Sequence, residues 1–152
     1  MIARLTNDCL NKIINFIEEC DNLFPIPISK KTNIPEYVEK VLTHGDVFAC
    51  MIDGEIAGLI FGYANDTENY TAYLSLLCVK PAFQGKGISK RLIDRFKDHC
   101  TDAKMKRITL YTHVTNTTAI KLYEKYGFVM SDSDRDNNCF FVYDIEGREK
   151  EC

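Results

Sequence analysis

The sequence lacks several features that would place it in a specialised class of protein. No apolar run approaches the ~18 residues of a membrane-spanning helix, and no charged segment followed by a long apolar one opens the chain, so no signal peptide is expected. The formal net charge is only −3 at pH 7, whereas a general nucleic-acid binder is more often basic. These absences favour a cytoplasmic protein whose partners are neither membranes nor nucleic acids.

The cysteines lack the spacing of a metal site. There are seven of them, no CxxC pair occurs, and the three histidines stand far from any pair of cysteines. A zinc site needs clustered ligands, so no metal is expected. Because the count is odd and several cysteines occupy apolar positions of predicted helices or strands, we expect reduced, mostly buried thiols in a reducing compartment.

The 152 residues are about one domain's worth of chain, and we interpret residues 1–152 as a single domain. Apolar periodicity predicts strands over Ile2 to Leu5, Val47 to Ile52, Glu55 to Tyr63, Tyr70 to Val79, Arg107 to Val114, Phe128 to Met130 and Cys139 to Ile145. It predicts helices over Cys9 to Cys20, Pro35 to Leu42, Ile88 to Cys100 and Thr115 to Tyr126. A strand meander followed by a strand–helix–strand unit indicates an α/β (α+β) fold, with helices packed on a mixed sheet.

Local signals set several element ends. Asn7 or Asp8 is predicted to cap the first helix, and Gly45 to stop the second. The Asp53-Gly54 pair predicts a tight hairpin, and Gly127 suits a left-handed helix cap. The strand from Tyr70 to Val79 ends in a nearly all-apolar run, which predicts burial on both faces.

A glycine-containing loop joins that strand to the helix that starts at Ile88. The first amides of a helix lack intrahelical partners and carry the positive end of its dipole. Gly85 and Gly87 have no Cβ, so a bulky oxyanion can approach these amides closely, and Lys86 and Lys90 add positive charge. The loop therefore favours a phosphate or pyrophosphate ligand, with a plain glycine turn as the alternative. It is neither a P-loop, GxxxxGK[ST], nor a GxGxxG fingerprint, because Lys90 stands where the third glycine belongs.

Two motifs resemble those of the GNAT superfamily, the Gcn5-related N-acetyltransferases. V-x-P-x-x-Q-G-x-G-I, from Val79 to Ile88, is similar to motif A of that family. N-x-x-A-x-x-x-Y-x-x-x-G-F, from Asn116 to Phe128, is similar to motif B. The resemblance implies the GNAT fold, a mixed, mostly antiparallel, V-shaped central sheet flanked by about four helices. The fourth and fifth strands would splay apart, and acetyl-CoA would lie in the gap.

The resemblance also implies roles for individual residues. The pyrophosphate of acetyl-CoA would meet the backbone of Gln84, Gly85, Lys86, Gly87, Ile88 and Ser89. The pantetheine arm would pair with the backbone of Leu77, Cys78 and Val79, and Asn116 would contact that arm or orient the second motif's helix. Tyr123 matches the family tyrosine that protonates the departing thiolate; its alternative role is that of a core aromatic. A backbone N–H at a bulge in the fourth strand would stabilise the oxyanion.

The general base is where the sequence departs from many relatives. Members often carry a glutamate on the fourth strand, but Ala72 to Val79 contains no carboxylate, and Ser75 stands near that position. Water, Tyr73, His113 or a loop residue could accept the proton of the amine, and none is assigned.

Three loops are expected to line the acceptor pocket: 23–33, 65–69 and 131–138. Within the first, Phe24 to Pro27 could form an apolar wall. In the last, Asp132, Asp134 and Asp136 match the first ligands of a calcium loop, but Asn137 and Tyr143 replace its glycine and glutamate. A solvated hairpin tip and an acidic rim that attracts an ammonium group remain as alternatives.

These features predict an acetyl-CoA-dependent N-acetyltransferase whose acceptor is a primary amine of a small molecule, namely an amino sugar, a polyamine or an amino acid. The amine would attack the thioester directly. One alternative is an enzyme that acetylates a peptide or protein N-terminus or a lysine. Another is a non-catalytic CoA-binding module, against which Tyr123 argues. The chain is expected to act as a monomer or homodimer.

Overall fold

The computed structural model describes residues 1–135 and 137–145, without the side chains of residues 132–135. The strands are β1 (Ile2–Leu5), β2 (Asp46–Ile52), β3 (Glu55–Tyr63), β4 (Thr71–Val79), β5 (Arg107–His113), β6 (Val129–Arg135) and β7 (Asn138–Asp144). The α-helices are α1 (Leu10–Cys20), α2 (Ile28–Lys31), α3 (Ile34–His44), α4 (Ile88–Asp102) and α5 (Thr117–Lys125). Short 3₁₀ turns lie at Asn7–Cys9, Asp21–Leu23 and Pro81–Phe83.

The seven strands form one sheet in the order β1-β2-β3-β4-β5-β7-β6. All neighbouring pairs are antiparallel except β4 and β5, which run parallel. The β4–β5 ladder joins only Thr71–Tyr73 to Arg107–Thr109, and the strands then diverge. This is the predicted V-shaped sheet, with its opening between the carboxyl ends of β4 and β5.

Helices cover both faces of the sheet. On one face, α1 and α3 bury Ile13, Ile17 and Val38 in an apolar cluster with strand residues. On the other face, α4 buries Leu92 and Phe96 in a second cluster. Each such side chain contributes about 1.5–3 kcal/mol on leaving water, so the apolar stripes of the helices hold the two layers on the sheet.

The hairpin between β2 and β3 confirms the prediction from its turn residues. Asp53 and Gly54 have φ of 52° and 77°, and Ile52 pairs with Glu55 across them. Positive φ at both central residues is what a two-residue hairpin turn requires.

The helix ends differ from the predictions in two details. Asn7 and Asp8 lie in a 3₁₀ turn before α1, whose N-cap is Cys9 without a side-chain cap bond, so their predicted capping role is wrong. Gly45 does end α3, but in extended backbone with φ of −128°. A Cβ there would lie 2.5 Å from the carbonyl oxygen of Gly62, so the glycine allows a close backbone approach.

The prediction that β4 is buried on both faces is confirmed for part of the strand: Ala72, Leu74 and Val79 lie in the apolar cluster with α4, and Leu76 and Cys78 lie in the cluster with α1 and α3. Tyr73 is 36% exposed, and Ser75 and Leu77 are only half-buried, while Ala72, Leu74 and Leu76 are buried. The ladder with β5 ends at Tyr73, so the half-buried Ser75 and Leu77 border the gap between the two strands.

The last part of the described chain begins at a helix cap that was predicted correctly. Gly127 has φ of 93°, and the N–H groups of Gly127 and Phe128 donate to the carbonyls of Glu124 and Tyr123. This is a Schellman cap. β6 then extends to Arg135, so most of the predicted loop 131–138 is strand. The side chains of Asp132 and Asp134, and all of Asp136, lie outside the described residues, and so do the calcium and acidic-rim hypotheses.

Within the described residues, five of six cysteines are buried and all six are free thiols. No helix in this part of the chain is long and apolar enough to cross a membrane. No group of three or more potential metal ligands occurs in it either.

Candidate active site

Two cavities meet where β4 and β5 separate. The larger one, about 680 Å³, lies against the glycine loop, and we call it the donor cavity. The smaller one, about 260 Å³, lies between α2, α3 and β5, and we call it the acceptor cavity. Five residues line both: Phe24, Leu77, Asn116, Ala119 and Tyr123.

The predicted donor-binding residues come together with one exception. Those that line the donor cavity are Leu77, Cys78, Val79, Gln84, Gly85, Gly87, Ile88, Ser89 and Asn116, and the predicted catalytic residue Tyr123 lines it as well. Lys86 does not line it; its Nζ lies 5.6 Å from the centre of the Phe83 ring.

The glycine loop presents a row of free amides to the donor cavity. Gly85 and Gly87 have φ of 80° and 77°, and a Cβ built on either meets no atom within 4 Å. Within the described part of the chain, the N–H groups of residues 85–90 have no hydrogen-bond acceptor. Free amides at the start of α4, with open space before them, form an anion-binding arrangement.

Gln84 shapes this loop. Its side-chain Nε2 donates to the carbonyl of Val79 at 3.2 Å, and its backbone N–H donates to the carbonyl of Pro81 at 3.3 Å. The row of free amides therefore begins at Gly85, one residue later than predicted. The two Gln84 bonds hold the loop against the end of β4.

The end of β4 offers an unpaired edge to the same cavity. Leu77, Cys78 and Val79 pair with β3 on one side, while the parallel ladder with β5 has already ended on the other. Backbone groups on such an edge can pair with an extended ligand.

A β-bulge lies farther back on β4. Phe61 of β3 faces Leu76, but the next residue, Gly62, faces Leu74, so Ser75 is an extra residue on β4. A bulge leaves a residue outside the ladder and bends the strand. Its position beside the acceptor cavity, which Ser75 lines, fits the predicted location of an oxyanion-stabilising N–H.

Tyr123 lies where the two cavities join. Its side chain is 6% exposed and packs edge-on against Phe128, with Phe141 also in ring contact. Burial is the main cause that raises the pKa of this phenol above its ordinary value, with a smaller contribution from Tyr73. The hydroxyl is therefore protonated at neutral pH, but full transfer of its proton is more uphill than an ordinary tyrosine pKa near 10 would make it.

Asn116 fixes the helix that carries Tyr123. Its side-chain Oδ1 accepts the N–H of Ala119 at 3.2 Å and caps α5. This is the orienting role that was one of its two predicted roles, and the residue also lines both cavities.

The candidate bases have weak geometry for that role. His113 Nδ1 accepts the N–H of Thr115 at 3.2 Å, so the lone pair of its neutral ring is already engaged. Burial raises the pKa of Tyr73, with repulsion from Tyr111 and Tyr63, which disfavours a phenolate. Ser75 Oγ lies 2.6 Å from the hydroxyl of Tyr37, and burial raises the pKa of that phenol too.

Several lining residues were not predicted. Lys125, Thr118 and Leu122 line the donor cavity from one face of α5, and their spacing along motif B was the available signal. Tyr37 lines the acceptor cavity from α3, outside the three loops expected there, whereas Lys31 of α2 falls within the predicted segment 23–33. Their positions depend on how the first 44 residues fold over the sheet, and no sequence motif marks them.

The comparisons with known proteins agree with this geometry. Residues 13–128 match the family model described as the acetyltransferase (GNAT) family. An acetyltransferase of Sodalis glossinidius is 31% identical over 130 residues, which cover 84% of this chain and 85% of that protein.

Two further similar proteins come from Bacillus subtilis and match over shorter segments. The spore coat polysaccharide biosynthesis protein SpsD is 35% identical over 81 residues, 53% of this chain but only 27% of SpsD. The spermine/spermidine N(1)-acetyltransferase is 33% identical over 72 residues, 47% of each protein.

Solved structures show the same fold. A GNAT-family acetyltransferase of Staphylococcus aureus superposes with a TM-score of 0.79 at 19% identity, covering 95% of this chain and 98% of that one. The PaiA N-acetyltransferase of Thermoplasma acidophilum, solved in complex with coenzyme A, gives a TM-score of 0.76 at 18% identity with the same coverage.

Proposed function

The chain belongs to the GNAT family of acetyltransferases and is an acyltransferase, and we propose that it transfers the acetyl group of acetyl-CoA to a primary amine of a small molecule. The acceptor class comprises amino sugars, polyamines and amino acids. The observation that carries the proposal is the junction of the donor and acceptor cavities at Leu77 and Tyr123. A thioester lying along β4 and an amine in the acceptor cavity would meet there.

We propose that the glycine loop binds the pyrophosphate of the donor. The free amides of residues 85–90 supply hydrogen-bond donors, and Lys125 supplies positive charge at the cavity. No carboxylate occurs among the described residues that line this cavity, which suits a polyanionic ligand. The unpaired edge at Leu77, Cys78 and Val79 would hold the pantetheine arm.

The transfer forms one bond and breaks another. The neutral amine nitrogen attacks the thioester carbon, and the resulting oxyanion is stabilised by a backbone N–H at the β4 bulge. When the intermediate collapses, the C–S bond breaks and Tyr123 donates its proton to the thiolate. The amine loses one proton to water, and Tyr123 recovers one from solvent, so the charges balance.

The acetyl group is proposed to pass directly to the amine without a covalent acetyl-enzyme. Cys78 is the cysteine that lines the donor cavity, among the described residues. A hydrogen bond with Cys20 and burial both raise the pKa of the Cys78 thiol. Since the thiolate is the nucleophilic form, this cysteine is inert at neutral pH.

The small volume of the acceptor cavity, about 260 Å³, favours a small acceptor over a protein. Phe24, Pro25 and Ile26 of the segment 24–27 line it, and Tyr37 contacts Ser75 in its wall. The names of two relatives, which refer to spermine/spermidine and to polysaccharide biosynthesis, fit this preference. A peptide or protein acceptor stays the alternative.

A panel assay tests the proposal. Release of free thiol from acetyl-CoA is followed with amino sugars, polyamines, amino acids and short peptides, and each product is identified by mass. Acetylation of a small amine, faster than that of every peptide, is the expected result. Peptide acetylation alone would favour the alternative, and acetyl-CoA binding without any transfer would contradict the proposed activity.

A further inference from the structure

The walls of the acceptor cavity point to the charge of the acceptor. We propose that the acceptor amine also carries an oxyanion, either a carboxylate or a phosphate, and that Lys31 binds this group. The inference rests on the proposed function and deepens it, because it selects among the possible small amines. It is carried by the charge and chemistry of the residues that line the cavity.

The described lining of the acceptor cavity contains no carboxylate. Its polar groups are hydroxyls, amides and one imidazole, from Thr32, Tyr37, Ser75, Tyr111, Thr112, His113, Asn116, Tyr123 and Asn138. Lys31 is the one ammonium group among these residues. The described walls can thus hydrogen-bond a polar acceptor, but they contain no counter-ion for a second ammonium group.

Lys31 is free to bind an anion. It is exposed at the end of α2, and within the described part of the chain its Nζ makes no ion pair. In contrast, Lys80 is paired with Glu19 and Glu55, and Lys90 with Asp94. An ammonium at the cavity rim with no internal partner attracts anions and repels cations.

A polyamine is a poor match to this surface. Only its reacting nitrogen is neutral during attack, and its other nitrogens are ammonium groups at neutral pH. These charges would meet Lys31 without a carboxylate on the described walls to offset the repulsion. An amino acid, or an amino sugar that bears a phosphate, instead places opposite charge against Lys31.

Matched pairs of acceptors test the inference. Glucosamine is compared with glucosamine 6-phosphate, and β-alaninamide with β-alanine, with spermidine as the cationic reference. The anionic member of at least one pair should have the higher kcat/KM, and the pair that responds identifies the oxyanion as phosphate or carboxylate. Added salt should reduce this preference, because an exposed charge is screened over ~8 Å at physiological ionic strength.

Substitutions of Lys31 and of its neighbour Lys30 distinguish binding of the acceptor by Lys31 from a general effect of surface charge. Lys31→Gln should raise the acceptor KM about fivefold, as expected for an exposed ion pair, with kcat and the KM for acetyl-CoA unchanged. Lys30→Gln is the matched control, since Lys30 lies on the same short helix but does not line the cavity. Lys31→Glu should shift the preference toward spermidine.

The outcomes distinguish this inference from the function on which it rests. If spermidine or the neutral members are acetylated at least as efficiently as the anionic ones, the inference is overturned while the proposed function stands. Equal effects of the Lys30 and Lys31 substitutions also overturn it. If no amine of any charge accepts an acetyl group, the proposed function fails, and the inference fails with it.

Discussion

At the scale of single residues, the proposed acetyl transfer depends most on Tyr123. The sequence could predict this residue because motif B fixes its spacing from Asn116 on one helix. The raised pKa of its phenol was not predictable, since it comes from burial against residues of later strands such as Phe141. Ser75 and Tyr37 show the same limit: their 2.6 Å contact joins residues 38 positions apart that no motif relates.

Tyr123→Phe removes the proton and keeps the ring. We expect kcat to fall on the order of 10²- to 10⁴-fold, with the KM for acetyl-CoA nearly unchanged, because general acid catalysis acts on the leaving thiolate. Tyr126→Phe is the matched control, since Tyr126 follows the same helix and lines the donor cavity but not the acceptor cavity. Steady-state kinetics decide the matter. A Tyr123→Phe enzyme with wild-type kcat would assign Tyr123 to the core and leave the acid unnamed.

At the scale of elements, the loop between β4 and α4 was predicted well because its chemistry is local. Glycines at positive φ and the free amides of a helix start follow from a few consecutive residues. The partial exposure of β4 was not predicted, because the apolar composition of a strand does not say that its neighbour will diverge. Ser75 and Leu77 border a gap that only the whole sheet creates.

Gly87→Val tests whether the loop between β4 and α4 binds the phosphates of acetyl-CoA. The side chain would project into the donor cavity, so we expect acetyl-CoA no longer to raise the Tm as it does in the wild type. A left-handed φ also costs a non-glycine residue about 1–2 kcal/mol of stability. Gly54→Val controls for this strain, since Gly54 has the same φ of 77° and equally open space but lies in the β2–β3 turn.

Differential scanning fluorimetry of both glycine variants, with and without acetyl-CoA, gives the answer. Similar losses of Tm without ligand, and a ligand shift retained only by Gly54→Val, are expected. A full ligand shift in Gly87→Val would mean that the phosphates bind elsewhere.

At the scale of the whole molecule, the fold and the identity of the family were accessible from the sequence, while the shape of the acceptor cavity was not. The two motifs stand in order with a strand between them, and the sheet order agrees with what they imply. The acceptor cavity is built from α2, α3 and the ends of β4 and β5, which are distant in sequence. Its residues meet only through tertiary packing, so no local pattern can specify them.

The burial of one thiol should make the free energy of unfolding fall at alkaline pH. Burial, with a smaller contribution from Asp46, raises the pKa of Cys100 from 9.0 to about 12. The unfolded thiol ionises first, so the folded state keeps its full stability below pH 9 and loses it as the pH rises toward 12. Between pH 9 and 11, this thiol alone should lower the free energy of unfolding by about 2 kcal/mol.

Cys100→Ala removes that contribution. Urea unfolding under reducing conditions should show a variant that is less stable than the wild type at pH 8, because a buried side chain has been shortened. The difference should shrink by about 2 kcal/mol by pH 11. If the free energies of unfolding of the two proteins change in parallel with pH, ionisation of Cys100 does not contribute to the loss of stability.

The central claim is that donor and acceptor occupy two joined cavities at once, so that the amine attacks the thioester directly. Initial velocities measured over a grid of acetyl-CoA and acceptor concentrations test it most directly, with the best acceptor from the panel. We expect double-reciprocal lines that intersect, as a ternary complex requires, and no release of thiol before the acceptor is added. Parallel lines with an early burst of thiol would instead reveal an acetyl-enzyme and would contradict the claim.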